Sequence, residues 1–244
     1  MSLKTTMDTL PFISVVIPAY NEEKYLSFCL QALQRQTYPK NKFDIIVSNN
    51  NSTDKTAKIA RQYEVTIVHE AKQGNTFALE KGLANSTGEI IACTDADSIP
   101  DANWLEEIAR IYIDPNVVGL TGYARIDLEN QVVRNIMERM YSFFLLASFA
   151  IGIPNFSGFN MSFRKKSYTK VGGINTKLQM SSDVDLGKRL KKVGKVVFAP
   201  RVKVVTSARR WNHGVFGTLR EYITGYIYVN LLQKSPSVKQ KVIR

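Results

Sequence analysis

FISVVIPAYNEE, residues 12–23, is the stretch on which the fold turns. An apolar, β-branched run reaches Pro18 and gives way to a polar loop. Beyond it Leu26, Cys29, Leu30 and Leu33 recur at i, i+3, i+4 and i+7, the spacing of one helical face. Asn21 is placed to cap that helix. The same strand-then-helix rhythm returns at FDIIVS (43–48), VTIVH (65–69), EIIACT (89–94) and VVGLTG (117–122). A second helix follows NNNSTD, with Ser52 or Thr53 as its cap and Asp54 set favourably against its dipole; a third runs from about Asn75 to Leu83. Strands alternating with helices predict an α/β fold, a doubly wound and mostly parallel sheet.

Later the alternation loosens. GFNMSFRKK (158–166) reads as a strand, SSDVDLGKRLKKVG (181–194) as a helix closed by Gly194, and KVVFAPRVKVV (195–205) as two β segments broken at Pro200. No repeat or low-complexity linker divides the chain. The expected layout is one domain over 1–214 with a small antiparallel element in its second half, then a basic amphipathic tail over 215–244.

Composition narrows the function. In 244 residues, 44% hydrophobic, the two cysteines, Cys29 and Cys93, lie far apart and in no metal-ligand spacing. Neither a disulfide framework nor a zinc site is indicated, and a reducing, cytoplasmic compartment fits. The N-terminus lacks the apolar core of a signal peptide, and the longest apolar run, YSFFLLASFAIGI (141–153), falls short of the roughly 20 residues that span a bilayer. By length it is a buried helix or an interfacial segment.

The formal charge of +12 is unevenly spread: residues 186–244 hold fourteen Lys and Arg against one acid, Glu221. That end offers a face to something anionic, either a membrane surface or a phosphate-bearing substrate; a solvated, solubilising surface is the plain alternative, and nucleic acid is not expected. In the tail, Leu219, Tyr222, Ile223, Tyr226 and Ile227 share a helical face beside basic residues. Such a helix lies on a membrane interface or packs on its own domain.

Open α/β sheets bind ligands beyond the carboxyl ends of their strands. PAYNEE, NNNSTD and TDADS each follow a strand, so a parallel sheet brings all three to one crevice. In TDADS, Asp95 and Asp97 stand one residue apart, which suits a hard divalent cation held by carboxylates and substrate phosphates; Asp, Ser and Pro together also make ordinary turns. There is no Gly-x-Gly-x-x-Gly, no P-loop and no Gly-x-Ser-x-Gly, and the only histidines are His69 and His213. Most nucleotide-fold and hydrolase alternatives are thereby removed.

VVIPAYNEE, NNNSTDKT, TDADS, GFNMSFRKKSYTKVGGIN and SDVDLGKRL, in that order and spacing, resemble the family 2 glycosyltransferases of the GT-A fold, from about Ile13 to Trp211. The resemblance implies a nucleotide-sugar half over about 12–97 and an acceptor half over 98–214. It implies base and ribose contacts at Pro18, Ala19, Tyr20, Glu22, Asn49 and Asn50, with Lys72 and Gly74 next along the donor. Asp97 becomes the main ligand of a Mn²⁺ or Mg²⁺ ion, Asp95 a ribose and metal contact, and His213 a candidate third ligand. Where the family commonly has Asp-Asp-Gly-Ser-Thr-Asp this chain has Asn49 to Asp54 as NNNSTD, and amides donate as well as accept, which leaves a UDP- or GDP-sugar open.

Asp183 maps to the general base. The Glu that usually precedes it is replaced by Ser182, while Asp185 reads as a helix-dipole or capping partner. SARRW (207–211) overlays a Gln-x-x-Arg-Trp motif with Ser for Gln, so Arg209 or Arg210 would meet the diphosphate and Trp211 the acceptor, beside Asn160 and Ser182. One base and no evident nucleophile opposite it imply inversion. The implied partners are a nucleotide-sugar donor, a glycan or lipid-linked acceptor and an anionic membrane face on the cytoplasmic side. Two alternatives are a non-catalytic basic-face binding protein and, less well matched because PAYNEE replaces a Gly-rich loop, a sugar-nucleotide pyrophosphorylase.

Overall fold

A computed structural model describes residues 10–178 and 181–209. The elements are β1 (Ile13–Ala19), α1 (Leu26–Gln34), β2 (Phe43–Asn49), α2 (Thr56–Ala60), β3 (Thr66–His69), α3 (Asn75–Asn85), β4 (Ile90–Cys93) and β5 (Ser98–Pro100). They continue as α4 (Trp104–Ile111), β6 (Val117–Asp127), α5 (Gln131–Ala150), β7 (Met161–Arg164), α6 (Lys165–Lys170), α7 (Ser182–Lys191) and β8 (Lys195–Ser207). The strands form one sheet in the order β3-β2-β1-β4-β7-β6-β8-β5. β3, β2, β1 and β4 run parallel, β7 is antiparallel to both neighbours, β8 is parallel to β6, and β5 closes the edge antiparallel to β8.

Every residue of β1 is buried. Its side chains alternate between two cores, as a strand covered on both faces requires. Ile13, Val15 and Ile17 join Leu26, Leu30 and Leu33 of α1 and Trp104, Leu105 and Ile108 of α4. Val16 joins Leu79 and Leu83 of α3, Phe163 of β7, and Leu186 and Leu190 of α7 on the other face. A fully buried Leu or Ile contributes about 1.5–3 kcal/mol, so these two layers hold the sheet in place. α3 lies tight on β1 because Gly82 has no side chain; a Cβ there would come 2.4 Å from Val16 Cγ1.

This is the α/β, GT-A-type sheet expected, with its antiparallel element. The second half differs in detail. KVVFAPRVKVV is one strand rather than two: between the pairs Gly122↔Ala199 and Tyr123↔Lys203 three residues of β8, Pro200 among them, bulge out of register. Proline cannot donate to the ladder and is tolerated at such a bulge. The run 141–153 covers the C-terminal half of α5 and the three residues after it; the helix buries Glu138, Leu145 and Ser148 while many of its large apolar side chains face outward. Leu145 and Phe149 apart, its large apolar side chains are therefore mostly not core.

Candidate active site

The carboxyl ends of β1, β2 and β4 open on one edge, and the loops leaving them are tied to one another. Pro18 and Ala19 pair in register with Ser48 and Asn49 as β1 and β2 finish. Beyond them the Asn21 amide donates to Ser52 Oγ (3.0 Å) while Asn21 Oδ1 accepts from the Thr53 amide (2.8 Å). The Glu22 amide donates to Thr56 Oγ1 (2.7 Å) and the Glu23 amide to Asp54 Oδ2 (3.0 Å). Asn21 adopts φ +54°, a left-handed conformation that Asn tolerates better than most residues. It is thus a loop tie and not a helix cap: α1 starts at Leu26 with no side-chain cap. At the second helix Asp54, rather than Ser52 or Thr53, meets the first turn, accepting from the Thr56 amide at 2.9 Å. Burial works against the Asp54 carboxylate, but its hydrogen bonds from Thr56 and Glu23 prevail and hold it below the ordinary value.

Asn50, 1% exposed, spends its whole amide on the next segment. Nδ2 donates to the carbonyls of Glu70 (2.9 Å) and Lys72 (2.8 Å), and Oδ1 accepts from the Gly74 amide (2.8 Å) and Gln73 Nε2 (3.3 Å). Gly74, at φ 144°, turns the chain into α3. An aspartate here would lose both donations to carbonyls, which accounts for the amide at this position. Asn49 Oδ1 accepts from the Ser52 amide at 3.3 Å. Lys72 is exposed, with Nζ 3.9 Å above the Phe77 ring, and Tyr20 is half-buried at the end of β1.

Asp95 and Asp97 occupy the turn after β4, where the Asp95 carbonyl accepts from Cys29 Sγ at 3.6 Å. Arg209, arriving from the end of β8, binds Asp97 Oδ2 through Nη2 (2.6 Å) and Nε (3.1 Å) and Glu22 Oε1 through Nη2 (2.9 Å). Its guanidinium lies 4.5 Å over the Tyr25 ring. Burial disfavours the charged guanidinium, yet the hydrogen bond to Glu22 and the charge of Asp97 outweigh it and raise Arg209 above its ordinary value. Burial raises the Glu22 carboxyl, with Arg209 opposing the shift.

Glu22 Oε2 is buried and has no hydrogen-bond partner. An unpartnered carboxylate oxygen beside a second carboxylate is the donor chemistry of a hard divalent cation, so the residues fit one. Among the described residues no three His, Cys, Asp or Glu side chains gather to hold a metal by themselves. Phosphate oxygens and water would have to complete the shell. Arg210, Trp211 and His213 lie outside the described residues.

The second half of the sheet reaches the same edge. Because β7 runs antiparallel to β4, with Met161 opposite Cys93, residues 157–160 sit at the sheet end that carries Asp95 and Asp97. There the Gly158 amide donates to Asp183 Oδ2 at 2.9 Å, while Asp183 Oδ1 accepts from the Val184 amide at 2.9 Å. Asp183 stands in the first turn of α7, where the helix dipole favours negative charge. Asp185 pairs one turn along with Arg189 at 2.7 Å, a helix-surface ion pair.

Ser182 is buried. Asn160 is fully buried; its amide donates to the carbonyls of Tyr123 (2.9 Å) and Val202 (3.0 Å) and accepts from Trp104 Nε1 (2.9 Å). It has no capacity left for an acceptor and instead locks β6, β8 and α4 together. Sequence reasoning did not single out Tyr25, under Arg209, or Gly158, over Asp183. A glycine just ahead of a strand is a usable signal for the second; Tyr25 offered none.

A sheet of this topology, with interlinked loops and an acidic helix turn at one edge, is that of the GT-A class. The chain matches the model of Glycosyl transferase family 2 over residues 14–172, and it belongs to that family. It is 41% identical over 104 residues to the glycosyltransferase AglE of Haloferax volcanii, covering 40% of this chain and 34% of that one. To a dolichyl N-acetyl-α-D-glucosaminyl phosphate 3-β-D-2,3-diacetamido-2,3-dideoxy-β-D-glucuronosyltransferase of Methanococcus voltae it is 28% identical over 131 residues, 49% of this chain and 41% of the relative. In fold it resembles the mannosyltransferase PcManGT of Pyrobaculum calidifontis, solved with GDP-Man and Mn²⁺, at a TM-score of 0.71 and 23% identity over 89% of this chain and 66% of that one. The chain thus spans less than half the length of either curated relative.

Proposed function

We infer that the protein is an inverting, metal-dependent glycosyltransferase that moves a sugar from a UDP- or GDP-sugar to a lipid-linked acceptor or a glycan hydroxyl. The observation that carries this reading is the placement of Asp183, positioned by the Gly158 amide at the sheet end that holds Asp95 and Asp97. Across the loops of β1 and β2 the nucleotide lies over Pro18, Ala19, Tyr20 and Asn49, with Lys72 and Gly74 bounding it. Asn50 and its hydrogen bonds shape that floor. Asp97, with Asp95 and Glu22, would hold Mn²⁺ or Mg²⁺, which would supply positive charge against the diphosphate leaving group. Arg209, already charged and buried there, turns its fork to the diphosphate oxygens. Asp183 takes the proton from the acceptor hydroxyl as it attacks the anomeric carbon, and a single displacement inverts that centre.

Lipid linkage is favoured by the Methanococcus relative, whose name specifies a dolichyl phosphate-linked sugar. The domain over 1–214 and the tail beyond it complete the proposal, with the basic end facing anionic partners. The test is release of nucleoside diphosphate from a panel of sugar donors with Mn²⁺. Asp183→Asn should lower transfer by about 10²–10⁴-fold while leaving donor binding intact, the range for loss of a general base. If no nucleotide sugar binds at any cation concentration, the reading fails.

A further inference from the structure

Helix α5 presents the feature least like a folded interior. Val132 (67% exposed), Ile136 (53%), Met140 (67%), Phe143 (73%) and Leu146 (55%) project outward, as does Ile151 (72%) at its C-cap. At about 100° per residue the six fall within an arc of roughly 140° along a helix about 30 Å long. Contiguous apolar surface of this size marks an interaction site. No described helix is long and apolar enough to cross a membrane.

The charges select the partner. The only acid in α5 is Glu138, which is buried and accepts from Tyr123 Oη (3.1 Å) and the Ile126 amide (3.2 Å). Within the outward arc the only charge is exposed Arg139. At the C-terminal end, Lys191 Nζ donates to the Gly152 carbonyl (2.6 Å) and Phe198 lies 6.4 Å from Phe149. These contacts bring in residues 186–209, which hold eight Lys and Arg and no acid. Arg189, Lys195 and Arg209 are ion-paired to Asp185, Asp114 and the Glu22 and Asp97 carboxylates, which leaves Lys188, Lys191, Lys192, Arg201 and Lys203 as the basic surface. An apolar stripe free of negative charge and continuous with a basic segment is the pattern of a helix lying in an anionic membrane surface.

We propose that the outer face of α5 docks on an anionic lipid bilayer and thereby sets the acceptor site against the membrane. The opposite side of the helix reaches the site directly: Tyr141 Oη hydrogen-bonds Ser157 Oγ, next to the Gly158 amide that holds Asp183. The bilayer then lies about one helix diameter, 10–12 Å, from that loop. A lipid-linked acceptor would present its headgroup at that height. This last step rests on the glycosyltransferase reading; the docking itself does not.

The test is flotation of the full chain with phosphatidylcholine vesicles, with and without 30% phosphatidylglycerol. The chain should partition at least tenfold more strongly to the anionic vesicles, and the double variant Met140→Glu/Phe143→Glu should lose at least tenfold of that partition. Nucleotide-sugar binding should stay unchanged in the variant, which also certifies its fold; a milder Phe143→Ser should show an intermediate loss. Equal partition of wild type to both vesicles, or a double variant that floats like wild type, overturns the proposal. So does a wild-type dimer, measured by ultracentrifugation without lipid, that the variant breaks while wild-type flotation is weak, since a second copy would then own the face. Protease sensitivity of residues beyond 209 gained in the variant with flotation unchanged assigns the face to the chain's own tail and likewise overturns it. Failure of the glycosyltransferase reading would appear separately, as absent nucleotide-sugar binding by wild type with flotation intact.

Discussion

Replacing Arg209 by Ala should tighten the binding of a divalent cation in the absence of nucleotide. In the structure Asp97 Oδ2 carries two hydrogen bonds from Arg209, at 2.6 and 3.1 Å, and Glu22 Oε1 a third at 2.9 Å. A cation that takes these oxygens must displace the guanidinium. Two unit charges about 4 Å apart attract by about 4 kcal/mol at an effective dielectric of 20, before desolvation is subtracted. The side chains are only 15–19% exposed, which places the pairs between the surface and buried cases. Surface pairs are worth about 0–1 kcal/mol and truncation of a buried one costs about 3–5, so about 1.5–3 kcal/mol opposes the ion. At about 1.4 kcal/mol per decade, Arg209→Ala should lower the Mn²⁺ Kd by about ten- to a hundredfold. With nucleoside diphosphate present the sign should reverse, because the fork is then missing from the phosphates. Calorimetric titration of Mn²⁺ into wild type and variant, with and without nucleotide, reads both. Unchanged or weaker binding without nucleotide would refute the competition.

Three further outcomes follow from named contacts. Asn160→Leu strands Trp104 Nε1 and the Tyr123 and Val202 carbonyls in the interior; at about 1–3 kcal/mol for each buried group left unpaired, urea unfolding should show a loss of at least about 3 kcal/mol. Asp54→Ala should cost about 1 kcal/mol at neutral pH, the usual worth of a cap. Because the folded carboxyl is held below its ordinary value, that contribution is complete above the ordinary value and disappears as pH falls through the lower folded one; urea midpoints of the two proteins should converge in acid. Chelation of divalent ions should weaken nucleoside diphosphate binding at least tenfold and leave binding of the bare nucleoside unchanged, read by equilibrium dialysis.

The parallel half of the fold was legible because its central strands β1 and β4 are buried on both faces and read as continuous apolar runs, with a period-3.6 helix such as Leu26, Cys29, Leu30 and Leu33 between strands. What the local pattern could not express was partnership at a distance. Asn21 looks like a cap beside its own helix, yet its contacts are with Ser52 and Thr53 on the next loop. Asn50 and Asn160 carry amides suited to ligands, yet four and three hydrogen bonds respectively commit those amides to the backbone and neighbouring side chains. The apolar run at 141–153 shows no facing preference by length; the packing of Glu138, Leu145 and Ser148 inward leaves Phe143, Phe144 and Leu146 facing out.

Charge balance at the sheet edge ties these observations to the chemistry. Glu22, Asp95 and Asp97 all lie close enough to act on the Cys29 thiol, which burial and their charges together push upward. Arg209 meets Glu22 and Asp97, and Asp95 stands on the same turn as Asp97, so carboxylates outnumber the guanidinium here, an excess of negative charge that would repel a diphosphate. Two ways of correcting it are available in principle, protonation of an acid or capture of a divalent ion. Protonation would cancel one charge and leave Glu22 Oε2 still without a partner on at least one side, whereas an ion supplies two charges and meets that oxygen as well. On the proposed reading the orphaned oxygen favours the ion, and Arg209, resting on Asp97 and Glu22, is the cation this edge provides for itself.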